Sequence, residues 1–263
     1  MSLIFISFFC AVLYLASGAV QATTLSGSRN DHTKLVMITG TAAVLLHTYA
    51  VYIVLHTGDG IQLGFFPVSS LIAWLIAGLV LISSIRKPLQ NLFVALFPLA
   101  AIAVILATLA PTTAESKPYS IGIISHILCS ILAYSVFTIA AVQAILVTLQ
   151  DHQLKHHHTR GIVNALPPLQ LMEKLMFEMQ WAGQLLLSVS LITGIIFIDD
   201  IFAQHLVHKT VLSIIAWVIY AIILWGRHQR GWRGIAAVRW TLGGFCFLML
   251  AYFGSKFAIE VLL

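Results

Sequence analysis

The stretch "VLSIIAWVIYAIILWGRHQRGWRGIAAVRWTLGGFCFLMLAYFG", Val211 to Gly254, consists of two apolar runs joined by a short knot of arginine. Each run is close to the roughly 20 residues that a helix needs to cross the hydrocarbon of a bilayer. Between them, Trp225 to Gly234 gathers Arg227, Arg230 and Arg233 together with His228. In a chain that otherwise avoids charge, such a knot marks the point where two membrane helices meet the headgroups. Trp225, Trp232 and Trp240 suit the same interface.

Composition extends this reading to the whole chain. Only 9% of the 263 residues are charged and 60% are hydrophobic, whereas an ordinary soluble domain carries about 25% charge. The mean hydropathy is +0.97. A soluble core cannot hide that much apolar surface, so the solvent is lipid. The formal charge of +5 would suggest nucleic acid in a soluble chain. Here the basic residues sit in short connectors, where topology and anionic lipid account for them, and no nucleic-acid partner is expected. Cys10, Cys129 and Cys246 lie in apolar runs without a CxxC pair, so no disulfide framework or zinc site is indicated.

Runs long enough to span occur at about 2–22, 35–55, 64–84, 90–110, 120–148, 175–198, 209–226 and 237–259. The expected fold is all-α: a polytopic membrane bundle of eight transmembrane helices, forming a single integral-membrane domain over residues 1–263. The longest connector, Asp151 to Pro168, carries a histidine tract and a Pro-Pro stop. Orientation follows from lysine and arginine. The odd-numbered connectors hold Arg29, Lys34, Arg86, Lys87, Lys155, Arg160, Lys174, Arg227, Arg230, Arg233 and Arg239, which is 11 of the 14. Lys117, Lys209 and Lys256 remain on the other side. The odd connectors are therefore expected in the cytoplasm and both termini on the outer, periplasmic side. "VQA" at Val20 to Ala22 resembles a signal-peptide cleavage site. No positive charge precedes the run, however, and cleavage there would turn the 11 basic residues outward. The first segment is thus expected to stay as a helix.

Of the 11 histidines, most lie in connectors. His152, His156, His157 and His158 belong to the fifth, and His32 and His228 sit in basic ones. His47 and His126 differ because they fall inside apolar helices, where a polar group usually faces the bundle interior. Helix two leaves eight residues from His47 to Leu55, and helix five places His126 six residues below its start near Ser120. At 1.5 Å per residue both lie roughly 9–12 Å beneath the same surface. Two neutral imidazoles at one depth can ligate one haem iron as an axial pair. Gly40 and Ala43 near His47, and Gly122, Ser130 and Ala133 near His126, are small residues that would give a macrocycle room. They equally permit close helix packing, with each histidine bonded to a neighbouring hydroxyl or carbonyl. On the outer face, His56, Asp59, Asp199, Asp200, His205, His208 and Lys209 could hold a metal or cap helices. Among them His208 and Lys209 are candidate contacts to haem propionates. No serine–histidine–acid arrangement, HExxH or phosphate-binding glycine loop is present, so a non-enzymatic role is expected.

The Val211 to Gly254 stretch is similar to the C-terminal part of the cytochrome c assembly transmembrane family, the group of CcsA-type and HemX-like proteins. There, a tryptophan-bearing helix is followed by an R…GWRG connector and a last helix ending near YFG. "SHILCSILAYSVF" and "LMEKLMFEMQWAGQLLLSVSLITGIIF" agree with two further helices of the family. The resemblance spans most of the chain from helix two onward and is strongest after Leu171. It implies a haem-handling protein of the bacterial inner membrane, and it matches His47 and His126 to family haem histidines. Haem-transferring members carry a tryptophan-rich outer loop, where this chain has "DDIFAQHLVHKT" without tryptophan. They also place histidines where Trp225 stands and after the YFG segment. Two functions follow. One is a haem-binding or haem-handling inner-membrane protein related to cytochrome c assembly, with haem b as cofactor. The other is an accessory or regulatory membrane subunit that keeps the fold without haem chemistry and works with another membrane protein.

Overall fold

A computed structural model describes residues 2–25, 32–57, 60–110, 116–156, 166–198 and 207–254. Its helices are α1 (Leu3–Leu25), α2 (Thr33–Leu55), α3 (Phe65–Ser84), α4 (Phe93–Leu109), α5 (Ile121–Lys155), α6 (Leu169–Phe197), α7 (Val207–Arg230) and α8 (Ile235–Met249). A 3₁₀ turn, Gln90–Leu92, leads into α4, and a π turn, Leu250–Gly254, continues α8. Among the described residues eight helices are long and apolar enough to cross a membrane, matching the eight apolar runs. Large apolar side chains such as Phe5, Ile38, Leu45, Ile82, Leu185 and Ile195 are exposed along them. On a membrane helix such side chains meet acyl chains.

The ends differ from the apolar runs where polar residues continue a helix. Trp225 to Arg230 was expected to be connector but is the last turns of α7, with Arg227, His228 and Arg230 at its C-terminus. Cations there complement the negative end of the helix dipole. Gly231, at φ +65°, takes the left-handed conformation that ends a helix at little cost to glycine. The connector proper is therefore only Gly231 to Gly234. Similarly, α5 continues through Asp151 and His152 to Lys155, and α6 begins at Leu169 rather than near residue 175. The 35 residues of α5 give a rod of about 52 Å, against about 30 Å of hydrocarbon.

A short hairpin was not expected. β1 (His56–Thr57) pairs antiparallel with β2 (Gly60–Ile61), and Ile61 bridges to Lys117. Gly60 is required there, because a Cβ would stand 2.7–2.9 Å from Ser116 Oγ and the Lys117 backbone.

The chain forms two compact units, Met1–Pro118 with Gln153–Pro167, and Tyr119–His152 with Pro168–Leu263. In the first, α1 packs on α2 and α4, and α3 on the same two helices. Its core includes Tyr14, Ala43, Ala77, Leu92, Phe93 and Phe97. Small polar groups fasten these helices: the Cys10 thiol donates to the Ala43 carbonyl (3.2 Å) and the Ser17 hydroxyl to that of Val36 (3.0 Å). Between helices in lipid, where no hydrophobic force favours association, close packing and such bonds supply the adhesion. In the second unit, α7 packs on α6 and α8. Phe137 of α5 stacks on Tyr220 of α7 at 3.9 Å and also meets Gly183 of α6.

Candidate functional site

His47 lies about two turns below the end of α2 and is fully buried in the first unit. Its Nδ1 is 3.2 Å from the Tyr14 hydroxyl and its Nε2 is 2.9 Å from the Ser70 hydroxyl. A neutral imidazole has one N–H and one lone pair, so one hydroxyl accepts from it and the other donates to it. The Tyr14 ring also meets His47 edge-on, with centroids 5.7 Å apart. Three helices, α1, α2 and α3, are thereby joined through one side chain. Both nitrogens are engaged, so ligation by His47 requires releasing one of these bonds.

His126, in the second turn of α5, is arranged differently. Its Nδ1 is 2.8 Å from the backbone carbonyl of Ser190 on α6. A carbonyl only accepts, so Nδ1 carries the hydrogen and the neutral ring keeps its lone pair on Nε2. Histidine ligands of metals are commonly oriented by this kind of backbone bond. The support is layered. Thr193 also donates to the Ser190 carbonyl (3.0 Å), and the Ser130 hydroxyl donates to the His126 carbonyl while lying 2.6 Å from Ser190 Oγ. The imidazole rests on Gly194, where a Cβ would come within 3.0 Å of Cε1. His126 is half-buried, and among the described residues no group bonds Nε2. The donor set therefore fits an iron ligand at His126, with its tautomer already fixed.

The small residues expected to leave room hold neighbouring side chains. Gly40 faces Leu81 and Phe97 at 3.1 Å from its Cβ position, Phe197 lies across Gly122, and Ser130 is bonded to Ser190. At the outer residues, His56 stacks on Tyr52 and donates from Nδ1 to its carbonyl, 3.0 Å away, so it caps α2. His208 is exposed and Lys209 half-buried in the first turn of α7. Asp59, Asp199, Asp200 and His205 lie outside the described residues, as do Arg29, His157, His158, Arg160 and Lys256. Among the described residues no group of three or more His, Cys, Asp or Glu side chains gathers as a metal set.

Several buried polar residues escaped the sequence reading. Tyr14 and Ser70 acquire meaning only as partners of His47, which no local pattern shows. Gln143, Gln180 and Gln184 and the acid Glu173 did carry a signal, as polar groups within apolar helices. The structure places the Gln180 amide 2.7 Å from Thr241 Oγ1, and Glu173 accepts the Gly234 N–H at 2.8 Å.

That last bond belongs to a compact corner. The Trp232 ring lies directly on Gly226, where a Cβ would fall 2.5 Å from it. The Trp232 N–H donates to the Gly226 carbonyl (3.2 Å), and Arg227 Nη1 donates to the Trp232 carbonyl (3.1 Å). Arg227 also lies over the Phe177 ring at 4.8 Å. Gly234, at φ +67°, turns the chain into α8.

Apolar helices in two compact units, with oriented histidines inside them and an arginine–tryptophan corner at one end, define a polytopic α-helical membrane protein. The chain belongs to the family of cytochrome c assembly proteins, whose profile matches residues 70–263. The inner membrane protein YpjD of Escherichia coli (strain K12) is 31% identical to it over 257 residues, covering 95% of this chain and 96% of the relative. Protein HemX of Brevibacillus brevis is 21% identical over 223 residues, covering 80% and 82%. An uncharacterized 28.8 kDa protein of Azospirillum brasilense is 31% identical over 156 residues, covering 59% and 57%. No solved structure matches the chain. This is a multi-pass protein of the inner membrane, related to cytochrome c assembly.

Proposed function

We propose that this protein is a non-enzymatic handler of haem b that holds the molecule through His126. The observation that carries the reading is the Nδ1–H bond to the Ser190 carbonyl, which leaves Nε2 as a directed lone pair. When bound, haem supplies an iron that accepts such a nitrogen as axial ligand. The protein's share is to fix the ring. Ser190 sets the tautomer, Thr193 and Ser130 hold Ser190, and Gly194 leaves the ring room against α6. His208 and Lys209, at the start of α7, are the proposed contacts to the propionates, aided by the positive end of that helix.

The engagement of both His47 nitrogens, together with the absence of tryptophan from residues 199–210, favours a second reading. In it the protein is an accessory or regulatory subunit that keeps the fold. The spectrum of the purified, haem-supplied protein separates the two. Haem handling predicts a Soret band that His126→Ala abolishes. A colourless protein leaves the accessory reading, and an unchanged band in His126→Ala removes His126 as the ligand.

A further inference from the structure

The corner between α7 and α8 presents more positive charge than the protein itself balances. Arg230, Arg233 and Arg239 are exposed, and among the described residues none of the three is paired with a carboxylate. The nearby acid, Glu173, is buried and directed at the Gly234 N–H. Arg227 is committed inward, to the Trp232 carbonyl and the Phe177 face. The corner is therefore a fixed scaffold rather than a slack loop, and its three outer arginines are not needed to build it.

The aromatic residues beside them are placed for lipid. Trp225 is 54% exposed and Trp240 41% exposed, and no described group accepts from either indole N–H. Arg230 lies over the Trp225 ring at 5.3 Å. Trp240 is stacked on the anchored Trp232 with centroids 6.2 Å apart. Indole flanks that seat at headgroup depth, with guanidinium groups between them, form a set of unsatisfied donors at the level of the phosphates.

We infer that Arg230, Arg233 and Arg239, framed by Trp225 and Trp240, form a binding surface for the phosphate of an anionic phospholipid. Charge complementarity and position select the occupant. The donors stand at the ends of two membrane helices, and each guanidinium can give a phosphate two parallel bonds. This assignment is independent of haem and of which side of the membrane the corner faces.

Quenching of tryptophan fluorescence tests it. The full chain is reconstituted with brominated phosphatidylglycerol or brominated phosphatidylcholine, and relative binding is read from the two quenching curves. Wild type should prefer phosphatidylglycerol, and each arginine removed should lower that preference about fivefold. The triple variant Arg230→Gln, Arg233→Gln, Arg239→Gln should lose it while keeping wild-type helix content by circular dichroism. Replacing the same three by lysine should retain part of it, which separates loss of charge from loss of fold. Equal quenching by the two lipids in wild type would overturn the proposal, and it is the outcome expected if the surface instead receives an acidic protein segment. Retention of the preference in the glutamine variant would also overturn it. Displacement of phosphatidylglycerol by millimolar inorganic phosphate would reassign the surface to a free anion.

Discussion

The arginines of the α7–α8 corner have different jobs. Arg227 is structural, since its planar guanidinium both reaches the Trp232 carbonyl and covers the Phe177 ring. Lysine can supply charge but cannot satisfy both contacts at once. Arg227→Lys should therefore cost about 1–2 kcal/mol, the sum of one hydrogen bond and a partly buried cation–π contact. Arg233→Lys should stay within about 0.5 kcal/mol, as for an exposed site. Thermal unfolding in detergent compares the two, and equal effects would return Arg227 to the role of a simple topological anchor. The sequence showed that this charge mattered. It did not show which arginine turns inward, because that depends on the ring of Trp232 lying upon Gly226.

At the level of the helix, the close approaches are made by glycine meeting an aromatic ring. Gly183 of α6 takes Phe137 of α5, with its Cβ position 2.9 Å from the ring. Phe137 has little freedom to move, because it is fully buried and stacked on Tyr220. Gly183→Ala should thus force the helices apart and destabilise the protein by about 1–3 kcal/mol, read as a lower unfolding temperature. No effect would mean that α5 and α6 have slack at this level. Sequence revealed the spans well, since length and hydropathy are local properties. It placed ends poorly wherever polar residues stay helical, as at Arg227 to Arg230 and Asp151 to Lys155. The β1–β2 hairpin was invisible, being held by a contact to the distant Lys117. His47 and His126 stood out for polarity alone, while their partners Tyr14, Ser70 and Ser190 are far away in the chain and had to be seen.

For the whole molecule, sidedness is a property set by the distribution of charge. The 11-to-3 distribution of lysine and arginine predicts that reporter fusions after Thr24 and within His156 to Arg160 both signal cytoplasm. A periplasmic signal at either would overturn this orientation.

The stack of Trp232 on Trp240 has an optical consequence. Indoles whose centres stand 6.2 Å apart couple their electronic transitions, so the pair absorbs circularly polarised light as one chiral chromophore. Trp232 reaches that position over a bare Gly226, next to the Gly234 N–H held by Glu173. The geometry of this corner thereby contributes to the circular dichroism of the indole bands, where it can be followed without a label or a bound molecule.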